Sequence, residues 1–302
     1  RANQGNFAST FTADRQVYRW QATGTALADR VDFTLGAERE EDRAALSTGA
    51  TERMGVTSVF GVSRLQVSPR LGVTGALRRD ETDDFGGATT GRLSAAWDLD
   101  AGFILSGAWG TGFKAPSISQ AVCDYCISAS PFPVLRPETA DSVELALGWS
   151  SADGRVQARA TAYRLNVEDQ ITYVFDLVSF DSVYVNIDRT RTDGVELEGQ
   201  ALLGGGLALT LAYGWTDATD RTTGARLLRV PEHAGSATLG WTGARLSGAL
   251  TVRAEGDQDD AGGVRQAFVT TGLSGSWIVT PAVSLTARVD NLTDRHFQQV
   301  FG

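Results

Sequence analysis

Residues 207–215 read Leu-Ala-Leu-Thr-Leu-Ala-Tyr-Gly-Trp, so that large apolar side chains alternate with small or hydroxylated ones. The same alternation recurs at 93–99, 143–149, 246–254 and 283–289. A period of two residues is typical of β-strands, because successive side chains point to opposite faces of a sheet. No segment keeps the period of 3.6 residues that a helix requires. The sequence therefore predicts an all-β protein.

Two kinds of connection alternate between the predicted strands. The longer, charged connections fall at 44–52, 83–89, 116–137, 176–181, 219–225 and 256–263. Seven tight turns indicate about fourteen strands that run up and down as antiparallel hairpins. Each strand should pair with its predecessor, from 13–27 with 31–43 to 263–279 with 282–294. The tight turns fall at 28–30, 68–69, 98–101, 152–154, 204–206, 242–244 and 280–281.

Three features favour a transmembrane β-barrel over a soluble β-sandwich. Many strands are longer than the ~9–11 residues that cross a bilayer at a tilt. One phase of each strand is apolar, whereas the other carries charged and small residues, as the wall of a wet lumen does. Tryptophans stand near both ends of the strands, where the indole ring favours a membrane interface. Packing of these tryptophans in the core of a sandwich is the alternative. They are Trp97, Trp149, Trp241 and Trp277 before short turns, and Trp109 and Trp215 toward long loops.

Composition excludes two further classes of protein. The formal net charge of −9 over 302 residues argues against nucleic-acid binding, which requires a basic surface along the phosphates. No stretch reaches the 18 or more apolar residues of a transmembrane helix. Residues 1–10 lack the apolar core of a secretion signal. Either the protein is not exported or a leader segment is missing from this sequence.

Five strings occur in the order in which TonB-dependent outer-membrane receptors carry similar strings. The resemblance covers roughly residue 15 to the end of the chain, and it is strongest to the cobalamin and siderophore transporters. Each string is weakly specific by itself, but the ordered set is specific. The strings are Gly112–Ser117 followed by Leu135–Thr139 and Ser142–Leu145, then Tyr163–Ile171, then Tyr184–Ile187 leading to Thr192–Glu198, then Arg229–His233, and finally Val289–Arg295.

The resemblance implies a fold that is larger than this sequence. Family members have a signal peptide, a TonB box and a plug domain, followed by a barrel of twenty-two strands. Residues 1–302 are therefore expected to be a partial barrel domain, without the plug, the first strands and the closing strand. Such a sheet would curve without closing. A complete barrel of fourteen strands is the competing interpretation.

The resemblance also implies a function. The protein is expected to be a receptor in the cell outer membrane, surrounded by lipid and monomeric. It would take up a scarce, bulky small-molecule nutrient, such as a ferric siderophore or cobalamin, in a process energised by the TonB–ExbB–ExbD complex. A passive porin-like or autotransporter-type barrel is the first alternative, and a membrane-anchored barrel enzyme or a soluble β-rich binding module are the others.

Catalytic patterns are missing from the sequence. The two histidines, His233 and His296, have no nucleophile beside them, and no Gly-x-Ser-x-Gly elbow occurs. The stretch ending at Lys114 lacks the glycine-lysine junction of a phosphate-binding loop. We therefore expect no enzymatic activity and no cofactor.

The only two cysteines, Cys123 and Cys126, form a C-x-x-C pair in the longest loop. A structural zinc ion would require two more ligands, and both histidines are remote in sequence. A redox motif would require a helix start in a thioredoxin-like unit, which an all-β chain lacks. In a loop outside the cell, oxidation is the default, so we expect a disulfide. A free pair and a metal contact are the alternatives.

The remaining candidate residues fall into three groups. Charged residues on the polar phase should line the lumen against the plug, or simply solvate it: Glu144, Arg155, Arg159, Glu196, Glu198, Arg253 and Arg288. Aromatic residues of long loops are candidate ligand contacts, or ordinary loop packing: Phe85, Tyr125, Phe132, Phe175 and Phe180. No metal site is expected, apart from a weak calcium candidate in an acidic loop that fails the EF-hand pattern: Asp257, Asp259 and Asp260.

Overall fold

The computed structural model describes residues 12–45, 51–123, 126, 128, 131–176, 180–260 and 262–298. These residues form sixteen β-strands and one short α-helix. The elements are β1 (Thr12–Ala26), β2 (Val31–Ala45), β3 (Thr51–Ser68), β4 (Leu71–Thr82), β5 (Gly86–Asp100), β6 (Phe103–Lys114), α1 (Ile118–Val122), β7 (Glu138–Ser150), β8 (Val156–Phe175), β9 (Ser182–Gly204), β10 (Leu207–Asp220), β11 (His233–Thr242), β12 (Leu246–Glu255), β13 (Gln258–Asp260), β14 (Gly263–Arg265), β15 (Phe268–Thr280) and β16 (Val283–Val289).

The strands follow one another in the sheet in chain order. Fourteen of them form a single sheet with the order β1 to β12, then β15 and β16. The other two, β13 and β14, pair only with each other. The all-β class, the antiparallel hairpins and the number of strands in the sheet are thus as the sequence predicts. The total of twenty-two strands in the whole receptor stays a prediction.

The chain divides into two compact units. The first comprises residues 1–94, 109–141 and 166–190, and the second comprises residues 95–108, 142–165 and 191–302. Each of the strands β5 to β9 is therefore divided, with one segment in the first unit and one in the second.

In the first unit, strands β1 to β4 have an apolar face and a polar face. On the apolar face Ala22, Leu35, Gly61 and Leu77 are directly paired across the four strands. Leu35 is 54% exposed and Leu77 is 67% exposed, so this face is not covered by another layer of the described chain. The exposure is what a lipid-facing surface requires, because a soluble protein would bury such a row.

The polar face of the same strands carries an ionic network. Arg78 donates hydrogen bonds to Asp80 (2.7 Å), Ser58 (2.6 Å) and Glu38 (3.1 Å). Glu38 also pairs with Arg19 on β1. Both carboxylates and Ser58 are buried, so the best-packed part of these strands is polar rather than apolar. Buried charges of this kind are stabilised only when each has a partner, and here each has one.

In the second unit the register produces a row of leucines. Leu209, Leu239, Leu250, Leu273 and Val289 are directly paired across β10, β11, β12, β15 and β16. The three central leucines are each more than 40% exposed. The residues one position along each strand point to the other face, and they are mainly small or hydroxylated. This arrangement again gives one apolar and one polar face.

All seven predicted tight turns occur between consecutive strands. Four of them contain residues in left-handed backbone conformations, including Asp100 and Ala101 in the turn from β5 to β6 and Gly154 in the turn from β7 to β8. Leu27, Ala28 and Asp29 have positive φ in the turn from β1 to β2, as do Gly204, Gly205 and Gly206 in the turn from β9 to β10. Glycine is required at 206, since a Cβ there would lie less than 3.0 Å from the carbonyl oxygen of Thr242. We call the strand ends that are joined by the tight turns the short-turn end of the sheet, and the opposite strand ends the long-loop end.

The last predicted hairpin is shorter than the sequence pattern indicates. The prediction of continuous strands over 263–279 and 282–294 is wrong at two places. Residues 263–265 belong to the small β13–β14 hairpin, where the buried Arg265 donates to Glu255 (2.7 Å) and to the Gly256 carbonyl (2.9 Å). After β16 the strand ends because Asn291 has positive φ and its side chain brackets the backbone of Arg295 with two 3.0 Å bonds.

Helix α1 is not predicted by the strand pattern, but its start has a sequence signal. Ser117 caps it and accepts from the Gln120 amide, while the Gln120 side chain accepts from the Ser117 amide. This Ser-x-x-Gln pattern is a capping box. In the described residues no helix combines the length and the apolar character needed to cross a membrane.

Candidate functional site

A concave cavity of about 840 Å³ opens on the polar face of the second unit. Strands β9 to β12 and β15, with the segment around Arg288 to Phe297, form its wall. The volume is within the ~300–1,000 Å³ range of small-molecule sites. Small side chains leave this space open, namely Ala212, Gly214, Ser236, Thr251, Thr270, Gly272 and Ser274.

Four of the seven predicted lumen residues line this cavity. They are Glu196 and Glu198 on β9, Arg253 on β12 and Arg288 on β16. Arg288 donates to Asp290 at 2.8 Å, with both side chains more than two-thirds exposed. Among the described residues Glu196, Glu198 and Arg253 form no ion pair and no side-chain hydrogen bond, so their charges are available to a partner. The cavity can therefore contact a polar surface that carries both signs of charge.

The other three predicted lumen residues lie elsewhere. Arg155 is in the turn before β8, at the short-turn end, where its Nε donates to the Leu202 carbonyl at 3.2 Å. Arg159 donates to Thr161 on its own strand at 3.3 Å, and Glu144 is an exposed residue of β7. None of these three lines the cavity.

The candidate aromatic contacts are exposed to different degrees. Phe175 and Phe180 form an edge-to-face pair with ring centroids 6.4 Å apart, and they are 50% and 64% exposed. Backbone hydrogen bonds between Asp176 and both Phe180 and Asp181 close this loop. Phe132 is 51% exposed in the longest loop, and Phe85 is half-buried after β4. Tyr125 lies outside the described residues.

The family-like strings converge on one structural cluster at the long-loop end of the first unit. We call Lys114, Arg136, Glu138, Asp169 and Asn186 the rim cluster. Lys114 pairs with Glu138 at 2.9 Å, and the same carboxylate oxygen accepts from the Ile171 amide at 3.0 Å. Arg136 pairs with Asp169 at 2.5 Å. Lys114, Arg136 and Glu138 stand in the first string, Asp169 in the second and Asn186 in the third, so the cluster ties three of the five strings together.

Asn186 is the centre of the rim cluster. Its Oδ1 accepts from the Arg136 amide at 2.9 Å. Its Nδ2 donates to the carbonyl oxygens of Arg136 at 2.9 Å and Asp169 at 2.5 Å. A side-chain amide suits this position because it can accept and donate at once. The sequence places Asn186 in a family-like string, but this role could not be assigned from it.

The longest loop is held at both of its described ends. Cys123 and Cys126 form a disulfide with their Cα atoms 5.3 Å apart, and Cys123 is buried. Next to it, α1 lies close to β3. Pro116 and Leu135, which flank the loop, are also buried. The pairing of Cys123 with Cys126 in the exported protein stays a prediction.

The acidic loop is occupied by an internal ion pair. Asp260 has a fully buried side chain and accepts from the Arg229 guanidinium at 2.9 Å, while the Asp259 carbonyl accepts from the Arg229 amide at 2.7 Å. Asp257 is exposed and apart from this contact. In the part of the chain that is described, no group of three acidic, histidine or cysteine residues could hold a metal ion.

The carboxylate of Asp83, in the loop after β4, has a shifted pKa. Hydrogen bonds from Arg39, whose two terminal nitrogens lie 3.0 and 2.8 Å from the carboxylate oxygens, hold the pKa of Asp83 below its usual range. Asp83 is nearly half exposed, so this interaction is a weakly stabilising contact at the long-loop end rather than a catalytic feature.

Long antiparallel strands with one apolar face, one charged face and a cavity on the charged face define an up-and-down β-barrel protein. The chain matches the family model described as TonB dependent receptor-like, beta-barrel, over residues 2–292. It belongs to the TonB-dependent receptor family, and the match is to the β-barrel domain of that family.

Individual relatives agree with this assignment. The chain is 24% identical over 304 residues to the vitamin B12 transporter BtuB of Photobacterium profundum, covering 98% of this chain and 48% of the relative. It is 26% identical over 247 residues to the iron-regulated outer membrane virulence protein of Vibrio cholerae, covering 72% and 37%. The chain thus spans about half the length, or less, of these relatives.

A solved structure shows the same fold. The ferric enterobactin receptor PfeA of Pseudomonas aeruginosa, as its R480A/Q482A mutant, superposes with a TM-score of 0.82 at 19% identity. The match covers 94% of this chain and 49% of that receptor. The likeness extends through nearly all of the chain, so it supports the barrel assignment for both units.

Proposed function

We propose that this chain is part of an outer-membrane receptor that takes up a scarce, bulky nutrient in a TonB-dependent manner. The observation that carries the proposal is a barrel segment of that family with a charged cavity on its polar face. The receptor needs to bind and admit its ligand, not to convert it, so no enzymatic chemistry and no cofactor are required. We propose that it acts as a monomer.

The apolar face supports the membrane location. On β15, Val269 and Trp277 are each about half exposed on the apolar face and eight positions apart. At ~3.3 Å per residue they span about 26 Å of strand. A tilt of 35–45° reduces this to roughly 20 Å of membrane thickness, close to the ~25 Å apolar band of outer-membrane barrels. The proposed outer surface is thus of the right height.

We propose that the cavity faces the plug domain of the complete receptor. Glu196, Glu198 and Arg253 have exposed charges without partners among the described residues, and exposed charges of both signs suit a polar domain that must be able to move. The TonB–ExbB–ExbD complex would act on that plug through a TonB box. The plug domain and the TonB box are proposed as parts of the complete receptor.

The nutrient is proposed to be a ferric siderophore, cobalamin or a ligand of similar size. The relatives are a vitamin B12 transporter and an iron-regulated protein, which supports both classes equally. Aromatic side chains at the long-loop end are the proposed contacts, with Phe175 and Phe180 as the best-placed pair. Phe85, Tyr125 and Phe132 are proposed as further contacts.

Uptake by the complete receptor tests this proposal. A strain that lacks its own receptors should accumulate labelled cobalamin or a labelled ferric siderophore when the full-length gene is supplied. Deletion of tonB should abolish that accumulation. Uptake that is unchanged without tonB would instead establish the passive, porin-like alternative.

A binding assay tests whether Phe175 and Phe180 contact the nutrient. The double variant Phe175→Ala/Phe180→Ala should weaken binding of the transported nutrient by roughly tenfold, from the loss of a packed aromatic pair. Phe103→Ala is the matched control, because Phe103 is an exposed phenylalanine at the short-turn end. Equal binding by both variants would remove Phe175 and Phe180 from the proposed site.

A further inference from the structure

A second cavity, of about 560 Å³, lies on the apolar face of the second unit at its long-loop end. Its outline follows from one row of directly paired residues. Tyr213 pairs with Gly235, Gly235 with Ala254, and Ala254 with Val269. Large side chains on the outer strands β10 and β15 thus flank two small residues on β11 and β12. The row forms a slot whose floor is two strands wide.

The slot is closed toward the middle of the sheet. Two positions further along β11, Ala237 pairs with Val252 on β12, and two positions beyond that Leu239 pairs with Leu250, so the larger side chains of β12 end the small-residue floor. Two residues of strand correspond to about 7 Å, and neighbouring strands are ~4.8 Å apart. The slot is apolar and open to the outside, and it can take the end of one acyl chain.

The other end of the slot is polar and cationic. His233 stands there and is fixed by a 2.8 Å hydrogen bond between its Nδ1 and the Tyr213 hydroxyl. Arg295 lines the same end, and its backbone is held by Asn291. Among the described residues the Arg295 guanidinium has no acidic partner. Glu255, the acidic residue of the lining, is already paired with Arg265 at 2.7 Å.

We propose that this slot binds the lipid A part of a lipopolysaccharide molecule of the outer leaflet. One acyl chain would lie over Gly235 and Ala254, and a phosphate would contact Arg295 beside His233. The inference rests on the proposed function, which places the long-loop end at the outer leaflet. Charge complementarity selects this occupant, because an apolar slot topped by an unpaired arginine matches a phosphorylated lipid better than a neutral one.

The slot and the first cavity adjoin one another. Their linings share Tyr213, Ala234, Gly235, Ala254, Glu255 and Phe268. Side chains alternate between the two faces of a strand, however, so the side chains of Ala254 and Val269 face away from those of Arg253 and Thr270. A lipid in the slot would therefore touch the outside of the barrel wall. It would support the loop ends of β10 to β15 without obstructing uptake.

Native mass spectrometry of the full-length receptor in detergent tests the proposal, with bis-phosphorylated lipid A as the added probe. The wild-type receptor should retain one lipid A and should bind dephosphorylated lipid A more weakly. Ala254→Leu fills the slot and should lower retention at least tenfold. Arg295→Gln should weaken binding by roughly fivefold, as expected for one basic residue at an anionic membrane surface. Ala287→Leu, which enlarges another small side chain of the apolar face, should bind as the wild type does.

Two results would overturn the proposal: equal retention by the wild-type and Ala254→Leu receptors, or equal affinity for phosphorylated and dephosphorylated lipid A. If Ala254→Leu fails to fold, Arg295→Gln decides by itself, because that change affects only an exposed side chain. Nutrient uptake distinguishes the two proposals. A receptor that transports in a TonB-dependent manner but retains no lipid A refutes only the slot, whereas absent uptake refutes the proposed function.

Discussion

Replacing Asn186 tests whether the rim cluster holds the longest loop in place. Asn186→Ala removes three hydrogen bonds at once, one from the Arg136 amide and two to the carbonyl oxygens of Arg136 and Asp169. Asn186→Asp keeps the shape of the side chain and one acceptor. It cannot donate to either carbonyl, and its charge is repelled by both oxygens.

The size of the effect follows from the number of bonds and their exposure. A net hydrogen bond contributes about 0.5–1.5 kcal/mol, and partial exposure places these at the lower end of that range. We expect Asn186→Ala to destabilise the local structure by about 1–3 kcal/mol. Since 1.4 kcal/mol is a factor of ten in an equilibrium constant, local opening should become roughly 5–150-fold more frequent. Asn186→Asp should destabilise the local structure at least as much, although aspartate is nearly isosteric with asparagine.

Hydrogen exchange of the full-length receptor measures this opening. Peptides that cover 131–137 and 168–172 should lose protection in both variants, including the Ile171 amide that is bound to Glu138. Asn291→Ala is the matched control, because Asn291 also brackets a backbone segment but does so after β16. It should leave both peptides protected. Unchanged exchange in Asn186→Asp would refute the role assigned to the amide group.

Three further predictions follow from other parts of the chain. Gly194→Ala should lower resistance to denaturant, because its Cβ would lie less than 3.0 Å from the Tyr163 ring. The pKa of Asp153, in the turn between β7 and β8, is held below its usual range by a hydrogen bond from Ser151. That turn should therefore keep its full exchange protection above the unfolded pKa of about 3.9 and lose it as the pH falls through the lower folded value. Non-reducing peptide mapping of the exported receptor should recover Cys123 linked to Cys126.

Each of these predictions has its own control. Gly214→Ala should leave stability nearly unchanged, because no atom lies within 4 Å of the position of its Cβ. A loss as large as that of Gly194→Ala would mean that strand glycines matter for another reason. Ser151→Ala should reduce the pH dependence of the turn, and an unaltered profile would contradict the cause given for the Asp153 pKa. Two alkylatable thiols in the mature receptor would exclude the disulfide.

Most of the fold could be predicted because its signals are local. Alternation along 207–215 defines a strand and its apolar face, and the glycines at 204–206 define the turn before it. The start of β15 could not be predicted in the same way. The break depends on Arg265, which is buried by contacts with Glu255 and Gly256 that its sequence neighbourhood does not reveal. A charged residue in an alternating pattern is normally assigned to a solvated face, and here it is interior.

The candidate site could be predicted only in part, for the same physical reason. The polar phase of the strands indicates which side chains share a face, but not where a cavity lies on it. Glu196 and Arg253 both line the cavity because of strand order and register, whereas Arg155 lies at the short-turn end. The slot over Gly235 and Ala254 was missed. Its signal is a pair of small residues on adjacent strands, and it is visible only once the register is known.

The rim cluster explains why resemblance reveals the family of this chain more readily than its nutrient. Asn186 contacts Arg136, 50 positions away, and Asp169, 17 positions away, so residues from three family-like strings are bound to one another. Their hydrogen-bonding groups are used internally, and a ligand would have to compete for them. Under the proposed function, selectivity would therefore depend on residues that the cluster positions but does not contain, and we propose the exposed Phe175 and Phe180 for this role. Loops of this kind can change without loss of the barrel, because the strands beneath them are tied together by the rim cluster.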